Sequence, residues 1–186
     1  MKAALCLLIG AYLQAAPPVT LELDATRTKV EWTLEDVLHT VRGTFQMKAG
    51  LITFSPEGGK AEGQIVVDAK SGNSGNGLRD RKMHSSVLES DRYPEVTFTP
   101  DGVEGKIAMT GASQIQVHGI LRIHGQDHPI VLPVKAVIDN GAVQADSHLS
   151  IPYANWGIKN PSTLFLKVGD KVELDIHAAG IIRQSQ

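Results

Sequence analysis

The chain has 186 residues, with 18 Lys and Arg against 20 Asp and Glu, for a formal net charge of −2. That length fits one ordinary domain, large enough to bury a substantial core or enclose a cavity. The near-balance of charge leaves no basic field to hold nucleic acid or an anionic membrane surface.

Residues 1–16 read as a signal peptide. Lys2 supplies a minimal positive start, Ala3 to Leu13 an apolar stretch, and Gln14-Ala15-Ala16 the small residues of a cleavage site. Cleavage after Ala15 is favoured, because a cut after Ala16 would leave Pro17 at the new terminus. The apolar stretch is too short to span a bilayer comfortably. The alternative is a buried N-terminal helix. Cys6 is the only cysteine and lies inside this stretch. Export would therefore leave residues 17–186 as one domain without a disulfide, with a net charge of −3 once Lys2 is lost, placed in the periplasm or secreted.

From Thr28 onward the chain alternates with period two, the mark of half-buried strands. Val30, Trp32 and Leu34 form the first apolar row. Val41, Gly43, Phe45 and Met47 follow, then Ile52 and Phe54, then Ile65 and Val67 after the Gly58-Gly59 turn. Ser71 to Gly77 breaks the pattern as a polar loop, and Leu78 to Leu88 reads as a short helix ended before Tyr93-Pro94. The strands resume with Val96 and Phe98, then Val103, Gly105, Ile107 and Met109. Ile115 to Ile123 and Ile130 to Ile138 come next, followed by Val143 to Ile151 and, last, Val172 to Ile182. Turn signals lie at Gly125-Gln126-Asp127, Val168-Gly169-Asp170 and Asn140-Gly141, the last a strong hairpin signal. The prediction is an all-β fold, an antiparallel β-barrel of about eight strands with one short helix.

A barrel of that size is either filled by its own side chains or open to one slender ligand. Gly43, Gly63, Gly105, Gly119, Ala136, Ala145, Ser147, Ala178 and Gly180 are small residues at inward positions, and large aromatics are few. Periodicity alone leaves open whether such a core holds a cavity or packs shut. Were a cavity present, its walls would be aliphatic, and burying a chain of about 15 carbons would supply on the order of 12 kcal/mol gross.

Catalytic signatures are thin. Ser71 to Gly77 has neither a nucleophile elbow nor a phosphate-loop ending. His118, His124, His148 and His177 fall on outward positions by parity, His128 in a hairpin, and His39 and His84 in the early strands and the helix. No pair has metal-site spacing. Arg79, Asp80, Arg81, Lys82 and His84 crowd the helix start. They read either as a polar lip at a barrel mouth or as a surface helix in which Asp80 pairs with His84. Tyr153 to Pro161 interrupts the alternation and reads as a loop that plugs or lines one barrel end.

Three stretches carry a resemblance to a known family: Arg79 to Phe98 (RDRKMHSSVLESDRYPEVTF), Gly119 to Val134 (GILRIHGQDHPIVLPV) and Val41 to Phe54 (VRGTFQMKAGLITF). With the tail from Ile151 to Ile176, they resemble the YceI-like bacterial lipid-binding proteins over nearly the whole chain after residue 16. Gln126-Asp127-His128 departs from the threonine-rich hairpin often found there. The resemblance implies a lipocalin-like barrel exported to the periplasm, with a polyisoprenoid, isoprenoid quinone or fatty amide in its interior. It also implies no cofactor beyond that lipid, and a possible homodimer.

Together these readings predict a non-catalytic carrier whose interior is lined by Trp32, Phe45, Phe54, Phe98, Met109, Leu121, Ile123, Leu149 and Trp156, with Arg79 and Asp80 at a polar mouth. No metal site is expected. The competing readings are a metal-dependent hydrolase using the surface histidines and an interaction module with a filled core.

Overall fold

The structure is a computed structural model that describes residues 17–35, 40–163 and 167–184. The predicted signal peptide, Cys6 and His39 lie outside the described residues. Nine strands form: β1 Val19–Leu23, β2 Lys29–Glu35, β3 Thr40–Phe54, β4 Gly59–Asn73, β5 Glu95–Glu104, β6 Gly111–Ile123, β7 Gln126–Asp139, β8 Ala142–Ile151 and β9 Val172–Gln184.

From β2 to β9 the chain runs up and down, every neighbour pairing antiparallel. Closure comes from the N-terminal pair. Both β1 and β2 lie between β3 and β9, β1 against Leu51–Phe54 and Gly180–Gln184, β2 against Thr40–Phe45 and Glu173–His177. They are two halves of one interrupted strand, so nine segments make a closed eight-stranded barrel. The interruption is a tight turn. The Asp24 carboxylate accepts from the Thr26 amide at 2.9 Å and its hydroxyl at 2.7 Å, and the Thr28 amide donates to the Asp24 carbonyl at 2.9 Å. Closing the sheet removes the open strand edges that otherwise invite aggregation.

Two bulges explain why the apolar row of β3 changes parity and why β5 bends. The β3–β4 register slips between Met47 and Ala49, so Phe45 and Met47 face inward on odd numbers and Ile52 and Phe54 on even ones. The β5–β6 register slips between Pro100 and Gly102, which keeps Phe98, Pro100 and Val103 all buried. An extra residue in one strand does this by flipping every later side chain. The Asn140-Gly141 hairpin forms as read, with φ of +48° and +80°.

The expected continuation of β5 through Ile107 and Met109 does not form. Gly105 adopts φ +104°, the chain leaves the sheet, and Ile107 buries itself under that barrel end with its amide donating to the Pro56 carbonyl at 2.8 Å. The helix is also split. Helix α1 spans Gly77–Lys82, capped by the Asn76 side chain, and runs into a π-helical turn over Met83–Val87. His84 is fixed from both sides there, its ring nitrogens 2.9 Å from the Gly72 carbonyl and 3.1 Å from the Ser90 hydroxyl. Asp80 does not pair with His84 by a hydrogen bond; its partner is Ser74.

Candidate functional site

The barrel has two apolar clusters, one at each end. Val19, Phe54, Ala61, Val103, Ile107, Ile138 and Val143 close the end that carries the β3–β4 and β7–β8 turns. Phe98, Leu121, Ile151, Tyr153 and Ile158 form the other, beside the helix. Val117 packs against both. Ile65, Val96, Ile130, Leu132, Leu149 and Leu174 pack against the helix-end cluster and, like Ile176, are inward-facing aliphatic residues that remain only partly buried. Among the described residues no large side chain is completely buried. A domain this size whose interior were packed to the usual density would bury several completely. The inward side chains of this barrel keep accessible surface instead.

The inward rows of the strands carry no Lys, Arg, Asp or Glu. Two of the inward glycines do more than leave space. A methyl at Gly43 would stand 2.4 Å from Trp32 Cζ2, and one at Gly119 would stand 2.8 Å from Phe98 Cζ. Each glycine therefore gives an aromatic ring room to lie flat on the sheet wall, which is how Trp32 and Phe98 both reach 6% exposure.

The predicted lining residues fall into groups. Phe98, Leu121, Ile123, Leu149 and Trp156 meet at the helix end. Phe54 and Met109 lie at the opposite end. Trp32 and Phe45 share the β2–β3 wall, their ring centroids 6.5 Å apart. Arg79 and Asp80 stand apart from all of these on α1. The Arg79 guanidinium donates to the Ser74 hydroxyl at 2.7 Å and carbonyl at 2.9 Å, and the Asp80 carboxylate accepts from the Ser74 amide and hydroxyl at 2.9 and 2.5 Å. Desolvation pushes the Asp80 carboxyl up, but the two Ser74 bonds, with Arg79 nearby, more than offset it and hold the group below the ordinary carboxylate range. These two side chains tie the 73–76 loop to the helix.

Residues 152–163 cover the helix end of the barrel. Tyr153 and Ile158 are buried, and the Tyr153 hydroxyl donates to the Gly169 carbonyl at 2.6 Å. Burial, with the Asp170 carboxylate close by, pushes the Tyr153 hydroxyl up to about 12. Lys82 clips the helix to the same cover by donating to the Pro161 carbonyl at 2.8 Å. Trp156 reaches into the mouth and stacks on His128, with centroids 4.0 Å apart and planes 7° from parallel.

His128 is the residue that sequence reasoning misplaced. It belongs to β7 and pairs across from the buried Leu121, so its ring points inward and not into a hairpin. The turn falls two residues earlier than expected, on His124-Gly125 with φ of +51° and +75°. Counting back in twos from the inward Ile130 would have found it.

The outer face carries His118, His148 and His177, whereas His124, expected on an outward strand position, lies in the β6–β7 turn with its ring against Tyr93. His177 Nδ1 lies 2.6 Å from Asp146 Oδ1, and His148 Nδ1 lies 2.7 Å from Asp175 Oδ1, beside a shallow concavity of about 580 Å³. These are exposed cross-strand pairs of small energetic weight. Among the described residues, no three of His, Cys, Asp and Glu converge on a point that could hold a metal ion.

Comparison with known proteins agrees with this architecture. Proteins of Vibrio cholerae named UPF0312 are 31% identical over 94 residues, 50% of this chain. The matched region spans 48% of those relatives, so the chain covers about half of their length. Among solved structures, Burkholderia cenocepacia BcnA superposes with a TM-score of 0.71 at 17% identity, over 87% of this chain and 99% of that one. A polyisoprenoid binding domain from Saccharophagus degradans, implicated in plant cell wall breakdown, superposes with a TM-score of 0.66 at 18% identity, over 91% of this chain and all of that one. At those identities the likeness speaks for the fold. The sequence model of the YceI-like domain matches residues 21–179, nearly the whole closed barrel, and on that match the chain belongs to the YceI-like family.

Proposed function

We propose that this protein binds a long apolar lipid of isoprenoid type inside the barrel, as a non-catalytic carrier or reservoir outside the cytoplasm. One observation carries the reading: inward aliphatic side chains around the wall stay partly accessible, and no charged group interrupts them. Such a surface gains roughly 0.8 kcal/mol for each methylene it takes from water, so a long hydrocarbon binds without polar recognition along its length. The solved neighbour that is a polyisoprenoid binding domain supports the lipid class. Lys2 and the apolar stretch to Leu13 support export. Among the described residues no helix is long and apolar enough to cross a membrane.

Trp156 and Tyr153 cover the mouth, and Leu121 lies beneath them in the same cluster. Entry therefore requires the 152–158 segment to lift from the His128 ring. A charge at Leu121 would leave an unpaired ion in the lumen. The test is uptake of all-trans-geranylgeraniol by wild-type protein and by Leu121→Glu, with the fold of the variant checked by circular dichroism. Uptake is expected in the wild type alone. A folded Leu121→Glu protein that takes up the lipid as the wild type does would overturn this placement of the site.

A further inference from the structure

The near-balance of charge in the whole chain conceals an uneven distribution. Helix α1, the π-helical turn and the 152–163 cover carry Arg79, Arg81, Lys82 and Lys159 against Asp80 alone, a local charge of +3 with His84 neutral. The tips and turns of the opposite end, 55–60, 101–110 and 139–141, carry Glu57, Asp101, Glu104 and Asp139 against Lys60 and Lys106, a local charge of −2. The barrel is thus a dipole with its positive pole at the helix. The inner face of the helix is engaged: Val87 packs on the helix-end cluster, and the His84 ring sits 2.9 Å from the Gly72 carbonyl. The outer face is Leu78, Arg81 and Lys82, at i, i+3 and i+4. Leu78 is 73% exposed, the most of any large hydrophobic among the described residues. Asp80 is turned away onto Ser74. Lys82 reaches the Pro161 carbonyl at 2.8 Å, which sets this face beside the cover and Lys159. Among the described residues no carboxylate pairs with Arg81, Lys82 or Lys159. A single exposed leucine is ordinary; one flanked by unpaired cations, at the positive pole and next to the covered mouth, has a matching partner.

We infer that the helix end is a docking surface for an anionic phospholipid bilayer, with Leu78 entering the interface and Arg81, Lys82 and Lys159 meeting lipid phosphates. Near a negatively charged membrane each Lys or Arg raises affinity by about fivefold. The long stems of Arg and Lys let the charge stay at the phosphates while Leu78 sinks below them. The same surface repels the acidic far end, so the field turns the covered mouth toward the bilayer. A stable protein partner would need a contact of roughly 800 Å² on this side, with an apolar centre, and the outer face of α1 offers one leucine. The contact is peripheral and reversible, since one leucine and three cations make a weak anchor. Docking itself needs no cargo. Its use, to set the 152–163 cover against a bilayer that supplies or receives the lipid, rests on the lipid-binding reading above.

The experiment is cosedimentation of protein from an exporting host with vesicles of phosphatidylcholine and phosphatidylglycerol in equal parts, and with vesicles of phosphatidylcholine alone. The wild type should bind the mixed vesicles in low salt, leave them as salt rises, and bind phosphatidylcholine alone about tenfold more weakly or less. Arg81→Gln combined with Lys159→Gln should weaken binding to the mixed vesicles about tenfold or more, and Leu78→Ser about fivefold. Lys60→Gln combined with Lys106→Gln removes the same net charge from the opposite end and should change nothing. All five positions are exposed, and circular dichroism checks that each variant folds. Wild-type protein that ignores the mixed vesicles in low salt would overturn the docking surface. Equal losses in the two double variants would overturn its placement at the helix end. Self-association that Leu78→Ser abolishes, without vesicle binding, would assign the patch to a second copy of the chain and overturn the proposal. Uptake of geranylgeraniol is measured on the same protein. Docking without uptake would overturn lipid binding and leave the surface standing; uptake without docking would do the reverse.

Discussion

Gly119→Ala tests the wall geometry on which the proposed lumen depends. The added methyl would lie 2.5 Å from the Thr99 carbonyl oxygen, 2.8 Å from Pro100 Cα and 2.8 Å from Phe98 Cζ. Two of these neighbours are backbone of the adjacent strand, paired through Pro100↔Gly119, and cannot swing away. The third is a ring packed against Leu121 and Ile151. Either β5 shifts or Phe98 leaves its place, at an overpacking cost of about 2 kcal/mol. For a domain of this size that lowers Tm by roughly 4–8 °C, read by thermal and urea unfolding. If Phe98 carries part of the strain, Phe98→Leu will cost less in the Gly119→Ala background than in the wild type, a coupling of about 0.5 kcal/mol or more. Gly77→Ala is the matched control. A methyl there meets nothing nearer than Arg81 at 3.9 Å, and the site opens α1, so this change should stabilise by about 0.5 kcal/mol. Gly119→Ala as stable as the wild type, or strictly additive with Phe98→Leu, would refute the close ring-on-glycine packing.

The Tyr153 hydroxyl is held up to about 12 from an ordinary 10.0 by burial and by Asp170. Its folded value exceeds its unfolded one, so its contribution to stability is intact below about pH 10 and is lost as pH rises toward 12. An absorbance titration should show a late tyrosinate phase near pH 12 that Tyr153→Phe removes; a phase that persists in the variant belongs to another group. His128→Phe keeps a flat ring against Trp156 and deletes the unpartnered Nε2. The empty protein should gain about 1 kcal/mol in urea unfolding, and a loss of stability would show that the nitrogen is satisfied in solution.

Much of the barrel was legible because alternation survives intact over β6, β7, β8 and β9. Ile130, Leu132, Val134, Ala136 and Ile138 all face inward as their spacing implies. What escaped has physical causes. Strand β1 has five residues and stands only by completing the slot that β2 leaves open, a tertiary fact with no local mark. The parity change in β3 comes from a bulge between Met47 and Ala49, and bulges follow packing more than composition. A glycine at positive φ ended β5 where its apolar period continues through Ile107 and Met109. The closed barrel follows the resemblance of Val41–Phe54, Arg79–Phe98 and Gly119–Val134 to the family. The grouping of the lining residues at two ends does not follow from parity, which assigns a side chain to a face but not to a height along the barrel axis. The stack of His128 on Trp156 joins β7 to a loop 28 residues on, a contact that only the closed fold creates.

The measurement that bears most directly on the central claim is mass spectrometry of an organic extract from protein exported in a bacterial host and purified without detergent. A near-stoichiometric apolar lipid with an isoprenoid chain is expected. Folded protein that yields no lipid, and that also fails to take up geranylgeraniol when it is supplied, would contradict a lipid-binding lumen.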